Sequence, residues 1–267
     1  MKSIAKTHWV KLFACAVALV SVAACGGGGG GGGGNLFLPV TGGGSGTGTG
    51  TEVSGTVARG VLLAGATVNM TCANGATLAG TANALGFYTT GKAAITYPCI
   101  GSAKLGNLTY RGILFSGTVA NFTPLTDLLV EVTEAAAGVG PTSLSMAELI
   151  NKVTKDGTFA DSLVAAASSY RATVLDVVKA LLIADGHTEA ESNLFLQAAR
   201  TLGFDVVSFV LGSDLDKCLE NIASVTQNAD GSVKASALAA AKAAGDKLPL
   251  PVSGPTGATA GTGASGN

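Results

Sequence analysis

Apolar and polar positions alternate along residues 52–120, and beyond residue 121 they recur at the spacing of a helix. In the first region Val53, Gly55 and Val57 share one side of a segment. Val68, Met70 and Cys72 share one side of another, with Thr67, Asn69 and Thr71 pointing the opposite way. A period of two is that of a half-buried strand. Gly86 introduces a further β-prone run from Phe87 to Thr90, and Ile95–Cys99 alternates again. Gly106-Asn107, between 102–105 and 108–115, fits a two-residue hairpin turn. Short strands at this spacing predict a small antiparallel β-sandwich.

The second region reads as an all-α helical bundle. Thr123-Pro124 supplies an N-cap and a first helical residue, followed by Leu125, Leu128, Leu129 and Val132 on one face. Ser145-x-x-Glu148 and Thr188-x-x-Glu191 are capping boxes, and Ser213-x-x-Asp216 is a weaker cap of the same sense. The longest helix is expected from near Thr158 to about Ala184, with Phe159, Leu163, Val174, Val178 and Leu181 at helical spacing. Asp185-Gly186 ends it. The fold class expected is therefore α+β as two segregated modules, the sandwich over 52–120 and the helices over 121–248.

Neither end carries this periodicity. Lys2, Lys6 and Lys11 precede the uncharged run Leu12–Ala24, which has the length of a signal-peptide core and is too short to span a bilayer. Val22-Ala23-Ala24-Cys25 resembles a lipobox, which implies a signal peptide over 1–24 and a lipidated Cys25 at the mature N-terminus. Two or more acyl chains anchor a protein stably, so the membrane is an expected partner. Asp tends to follow the Cys in lipoproteins retained at the inner membrane, and Gly26 stands there in this chain. The resemblance thus implies an outer-membrane location in a Gram-negative envelope. Residues 26–51 are mostly Gly, Thr and Ser around the short run Asn35-Leu-Phe-Leu-Pro39, a composition that buries no core. They read as a tether whose roughly 26 residues have an r.m.s. span of about 28 Å. Residues 249–267 read as a disordered tail.

Charge excludes one class of partner. The whole chain has a formal charge of −1. Three of its 16 basic residues leave with the leader and none of its 17 acidic ones, so the mature charge is −4. No basic patch interleaved with aromatics offers a surface for nucleic acid.

Gly55-Thr-Val57, Leu63-Ala-Gly-Ala-Thr-Val68 and Thr81-Ala-Asn83-Ala-Leu-Gly86-Phe87-Tyr88 resemble the carboxypeptidase regulatory-like family, with Asn83 where Asp is commoner. The likeness covers residues 53–119 and implies a transthyretin-like sandwich, usually a noncatalytic accessory of exported proteins. Asn hydrogen-bonds a turn backbone and Gly supplies positive φ, so the residues of the Asn83–Gly86 turn suit that reading. The stretch Asn121–Val130 is similar to a junction in lipoproteins of Gram-negative bacteria, where a helical region follows the sandwich.

The residue inventory offers little chemistry. His187 is the one histidine beyond the leader, in a turn before a helix, and no G-x-S-x-G accompanies it. Three widely spaced cysteines and one histidine do not make a usual zinc site. Asp214, Asp216 and Glu220 lack the glycine and spacing of a calcium loop and suit the charge of a helix N-terminus. Glu131 and Glu134, amid alanines, read as a solvated face. Cys72 and Cys99 fall on the apolar sides of their strands, which predicts a disulfide in an exported protein. Cys218 lies on an apolar helix face and reads as a buried free thiol. No catalytic residue, metal or cofactor is expected. Two functions follow: a noncatalytic envelope protein that binds or braces another envelope component, or an accessory that captures a glycan or peptide for an enzyme or importer.

Overall fold

Among the described residues six strands and six α-helices follow one another without interleaving, an α+β arrangement. The computed structural model describes residues 50–138, 142–207, 210–249 and 251–253. The expected leader, Cys25, nearly all of the expected tether and most of the expected tail lie outside them. Strands β2 (Thr67–Cys72), β3 (Thr77–Thr81), β5 (Cys99–Leu105) and β6 (Leu108–Leu114) form one antiparallel sheet in the order β3-β2-β5-β6. Strands β1 (Ser54–Thr56) and β4 (Phe87–Thr89) form an antiparallel pair. Thr51, expected in the tether, already pairs with Ala93.

A second partner lies along β1. The segment 118–122 runs parallel to it: the Ser54 amide donates to the Thr118 carbonyl at 2.8 Å, and the Ala120 and Phe122 amides donate to the Ser54 and Thr56 carbonyls at 2.9 Å. Gly55 permits this approach, because a Cβ there would overlap the Ala120 carbonyl. That carbonyl also accepts the Tyr88 hydroxyl at 2.6 Å.

The turns follow their residue chemistry. Asn83 Oδ1 accepts from the amides of Leu85 and Phe87 at 2.8 and 3.2 Å, and Gly86 takes φ 69°. Gly106-Asn107 closes the β5–β6 hairpin. One expected strand is not formed. Ile95–Pro98 is irregular, and β5 begins only at Cys99. Pro98 has no N–H to give a ladder, and the Tyr97–Pro98 bond is cis.

Cys72 and Cys99 sit opposite each other in the β2–β5 register and form a disulfide across a separation of 27 residues. Both sulfurs join the buried cluster of Val53, Val68, Tyr88, Leu114 and Phe122. The other side of β5 and β6 is buried too: Ile100, Ile113 and Phe115 belong to the cluster that contains the helices. A strand pair covered on both faces needs apolar residues at successive positions, which Ile113-Leu114-Phe115 supplies.

The helices are α1 (Pro124–Ala137), α2 (Met146–Lys155), α3 (Gly157–Ala184), α4 (Glu189–Ala198), α5 (Asp214–Thr226) and α6 (Ala235–Gly245). Their starts match the capping residues. Thr123 caps α1 with a reciprocal bond from Thr126, Ser145 and Thr188 make boxes with Glu148 and Glu191, and Ser213 accepts from the Asp216 amide. Helix α3 is ended by Gly186 at φ 104°. Helix α1 is buried around nearly its whole circumference, as befits a helix apolar on most sides. It packs against β6, α3 and α6. Among the described residues no helix is long and apolar enough to cross a membrane.

Candidate functional site

Period two places Thr109, Arg111 and Ile113 of β6 on the side that faces α1, and Tyr110, Gly112 and Leu114 on the other. Arg111 is thus the cation presented to a buried helix. Helix α1 has three acidic residues, Asp127, Glu131 and Glu134, at i, i+4 and i+7, a spacing that puts all three on one face. The guanidinium takes one carboxylate on each nitrogen. Nε donates to Asp127, Nη2 to Glu131 at 3.0 Å and Nη1 to Glu134 at 2.7 Å. The expectation of a solvated Glu131–Glu134 face is therefore overturned. The side chains of Asp127 and Glu134 are 9% and 5% exposed, and that of Glu131 is 18%. The alanines that suggested solvent are the small residues that let α1 sit deep in the core.

One cation shared among three acids makes the partners respond differently. Burial works against the Arg111 charge, but attraction to Asp127 and Glu134 more than offsets it and raises the guanidinium pKa. Burial raises the carboxyls of Asp127 and Glu134 against the pull of Arg111, with Glu134 pushed up to about 7. Nearby acids add to the rise. The excess of anions over cations reconciles these directions: each acid has only a share of the guanidinium.

A second polar tie joins α3 to the turn that follows α4 and its π-helical extension. Arg171 of α3 holds Asp205 through Nε at 2.8 Å and Nη2 at 2.7 Å. Its guanidinium lies 5.5 Å from the centre of the Phe115 ring. Burial raises the Asp205 carboxyl, opposed by Arg171. Both ties are structural in form: each sets an arginine against carboxylates buried in the fold.

A shallow accessible feature lies on α4. This helix passes into a π-helical turn over Ala199–Gly203, and such turns often accompany functional sites. Asn193, Leu194, Gln197, Arg200 and Thr201 line a shallow depression of about 470 Å³ there. Leu194 and Leu202 are 66% and 48% exposed. Amides and a guanidinium thus lie beside exposed leucines on this surface.

The remaining expected residues are dispersed. His187 stands before α4 with its ring edge-on to Phe195. Cys218 is a buried free thiol whose pKa burial pushes up to about 11, which disfavours the reactive thiolate. Asp214 pairs with Lys217 on the surface, while buried Asp216 accepts the Gly212 amide at 2.8 Å. Among the described residues no three His, Cys, Asp or Glu side chains are grouped to hold a metal ion. No family model, curated protein or solved structure matches this chain.

Two signals could have exposed the Arg111 cluster in the sequence. Arg111 is the single charge in Leu108–Leu114, and every charged residue of Pro124–Ala137 is an acid on one helical face.

Proposed function

We propose that this chain is a noncatalytic lipid-anchored protein of a bacterial cell envelope, with a binding or structural role. The observation that carries the reading is Val22-Ala23-Ala24-Cys25 at the end of an uncharged run preceded by three lysines. Gly26 after the cysteine favours the outer membrane. On this reading the sheet pair is a transthyretin-like sandwich, and 121–248 is a helical bundle carried on it. What supports the sandwich is a common buried cluster, to which Val57 just after β1 and Tyr88 of β4 contribute from one side and Val68 and Leu114 of the larger sheet from the other. A partner protein or glycan of the envelope would be the binding target.

Replacement of Cys25 by Ser tests the anchor in a bacterial host. The variant is expected to leave the membrane fraction, to retain its leader and to lose fatty-acid labelling. Labelling of Cys25→Ser as strong as that of the wild type would sink the proposal. The alternative, an accessory that captures a peptide or glycan for an enzyme or importer, is favoured by the depression on α4. Its amide side chains Asn193 and Gln197 offer both donors and acceptors.

A further inference from the structure

The structure assigns to Glu134 the role of a proton-operated latch between strand β6 and helix α1. The assignment starts from an oxygen without a partner. Glu134 Oε2 accepts from Arg111, but Oε1 is buried and has no hydrogen-bond partner. The Arg111 nitrogens nearest α1 are already distributed, one to each carboxylate. A desolvated anionic oxygen with no donor is unfavourable, and a proton on Oε1 removes that anion.

The charges give the same answer. Fully ionised, the cluster sets three carboxylates against one guanidinium. Protonation of Glu134 leaves Arg111 facing Asp127 and Glu131, with no new bond except O–H. Loss of the proton restores an anion whose Oε1 has no donor, on the helix face that Asp127 and Glu131 occupy. Like charges at this spacing repel, and the seat of α1 on β6 is weakened.

Among the described residues, Arg111 is the one charged group from another element that acts on Glu134. The charged groups acting on Glu134 are Arg111 from β6 and, from its own helix, Glu131 and Asp127. Helix α6 meets α1 through Gly245, set against the Val132 carbonyl and the Ala135 methyl, and its Lys242 pairs with Asp246. On α3, Arg171 pairs with Asp205, and at the start of α2, Glu148 bonds Ser145. The Leu144 amide donates to the Glu134 main-chain carbonyl at 3.0 Å and leaves the side chain to Arg111.

The direction with pH follows from linkage. Folding raises the Glu134 carboxyl from its ordinary 4.5 to about 7, so the folded chain binds the proton more tightly than the unfolded one. The stabilisation is full below the unfolded value and is lost as pH rises through the folded one. Acid tightens the latch and base releases it.

The test compares thermal unfolding of the full-length mature wild type and Glu134→Gln at about pH 5.5 and about pH 8.5. The amide keeps the size and cannot ionise. Between the two pH values the wild-type midpoint is expected to fall by roughly 5 °C more than that of the variant. Equal falls in both proteins would overturn the assignment. If Glu134→Gln does not fold, carbon-detected NMR titration of the wild-type Glu134 carboxyl decides alone. A midpoint near neutrality supports the latch, and one near the ordinary glutamate value removes it.

Discussion

Asn121 shows how much a single side chain can hold in this protein. Its Oδ1 accepts the Thr56 amide at 3.0 Å, while Nδ2 donates to the carbonyls of Phe204 and Val207 at 3.0 and 2.8 Å. Strand β1, the segment leading into α1 and the turn after α4 therefore meet on one buried amide. Asn121→Asp preserves the shape but turns a donor into an anion facing two carbonyl oxygens. A loss of roughly 3 kcal/mol or more is expected, since a buried polar group loses its partner and a charge is buried unpaired. Chemical denaturation of the two proteins at neutral pH checks this, and a difference below about 1 kcal/mol would contradict the clamp. Sequence could not reveal it. The partners are 65, 83 and 86 residues away, and only the general helix-start signal of Thr123-Pro124 marks the neighbourhood. The Arg111 cluster was nearer to legible, but its meaning depends on which face of β6 meets α1, and alternation alone leaves that choice open.

At the scale of elements, local chemistry was the better guide. Helix starts at Thr123, Ser145, Thr188 and Ser213 were legible because an N-cap satisfies its own helix within three residues. The stop at Gly186 was legible for the same reason. Ile95–Cys99 misled because its alternation is real while Pro98 denies it a ladder bond. The disulfide was legible from strand faces: both cysteines lie on sides occupied by core residues. It closes 27 residues, and loop-closure entropy gives about 3.5 kcal/mol for that length, with native strain left out. Mass mapping without reductant should recover a Cys72–Cys99 peptide pair, with Cys218 alkylated only after denaturation. A link from Cys218 to either partner would show that α5 does not bury its thiol as described.

For the molecule as a whole, the change of period near residue 121 marks a change of element type but no break in the core. Ile100 and Ile113 from the strands and Phe115 just after β6 share one buried cluster with Leu128, Leu163 and Val178 from the helices. Helix α1 has its surface covered on one side by β6 and on others by α3 and α6. Removal of either half would expose a face that has no polar alternative. The strands and helices are expected to unfold in a single transition, with near-ultraviolet and far-ultraviolet circular dichroism superimposing across denaturant. Two separated transitions would show that the residue-121 join divides independent units. Periodicity read the class of each half correctly, yet it could not show that β5 and β6 are covered on both faces. That property depends on where α1 returns to the sheet.

The parallel alignment of β1 with 118–122 also has a mechanical side. A pull on the chain at its N-terminal end enters β1 at Ser54, while the resisting segment continues from Phe122 into α1 at the opposite end. In such a geometry the bonds from Ser54, Ala120, Phe122 and Ala58 lie across the line of force and are strained together, not peeled one after another. Tension applied from the N-terminal side would therefore pass the Thr51–Ala93 bridge and then load this short pairing together with the β1–β4 pair, before it reaches the four-stranded sheet.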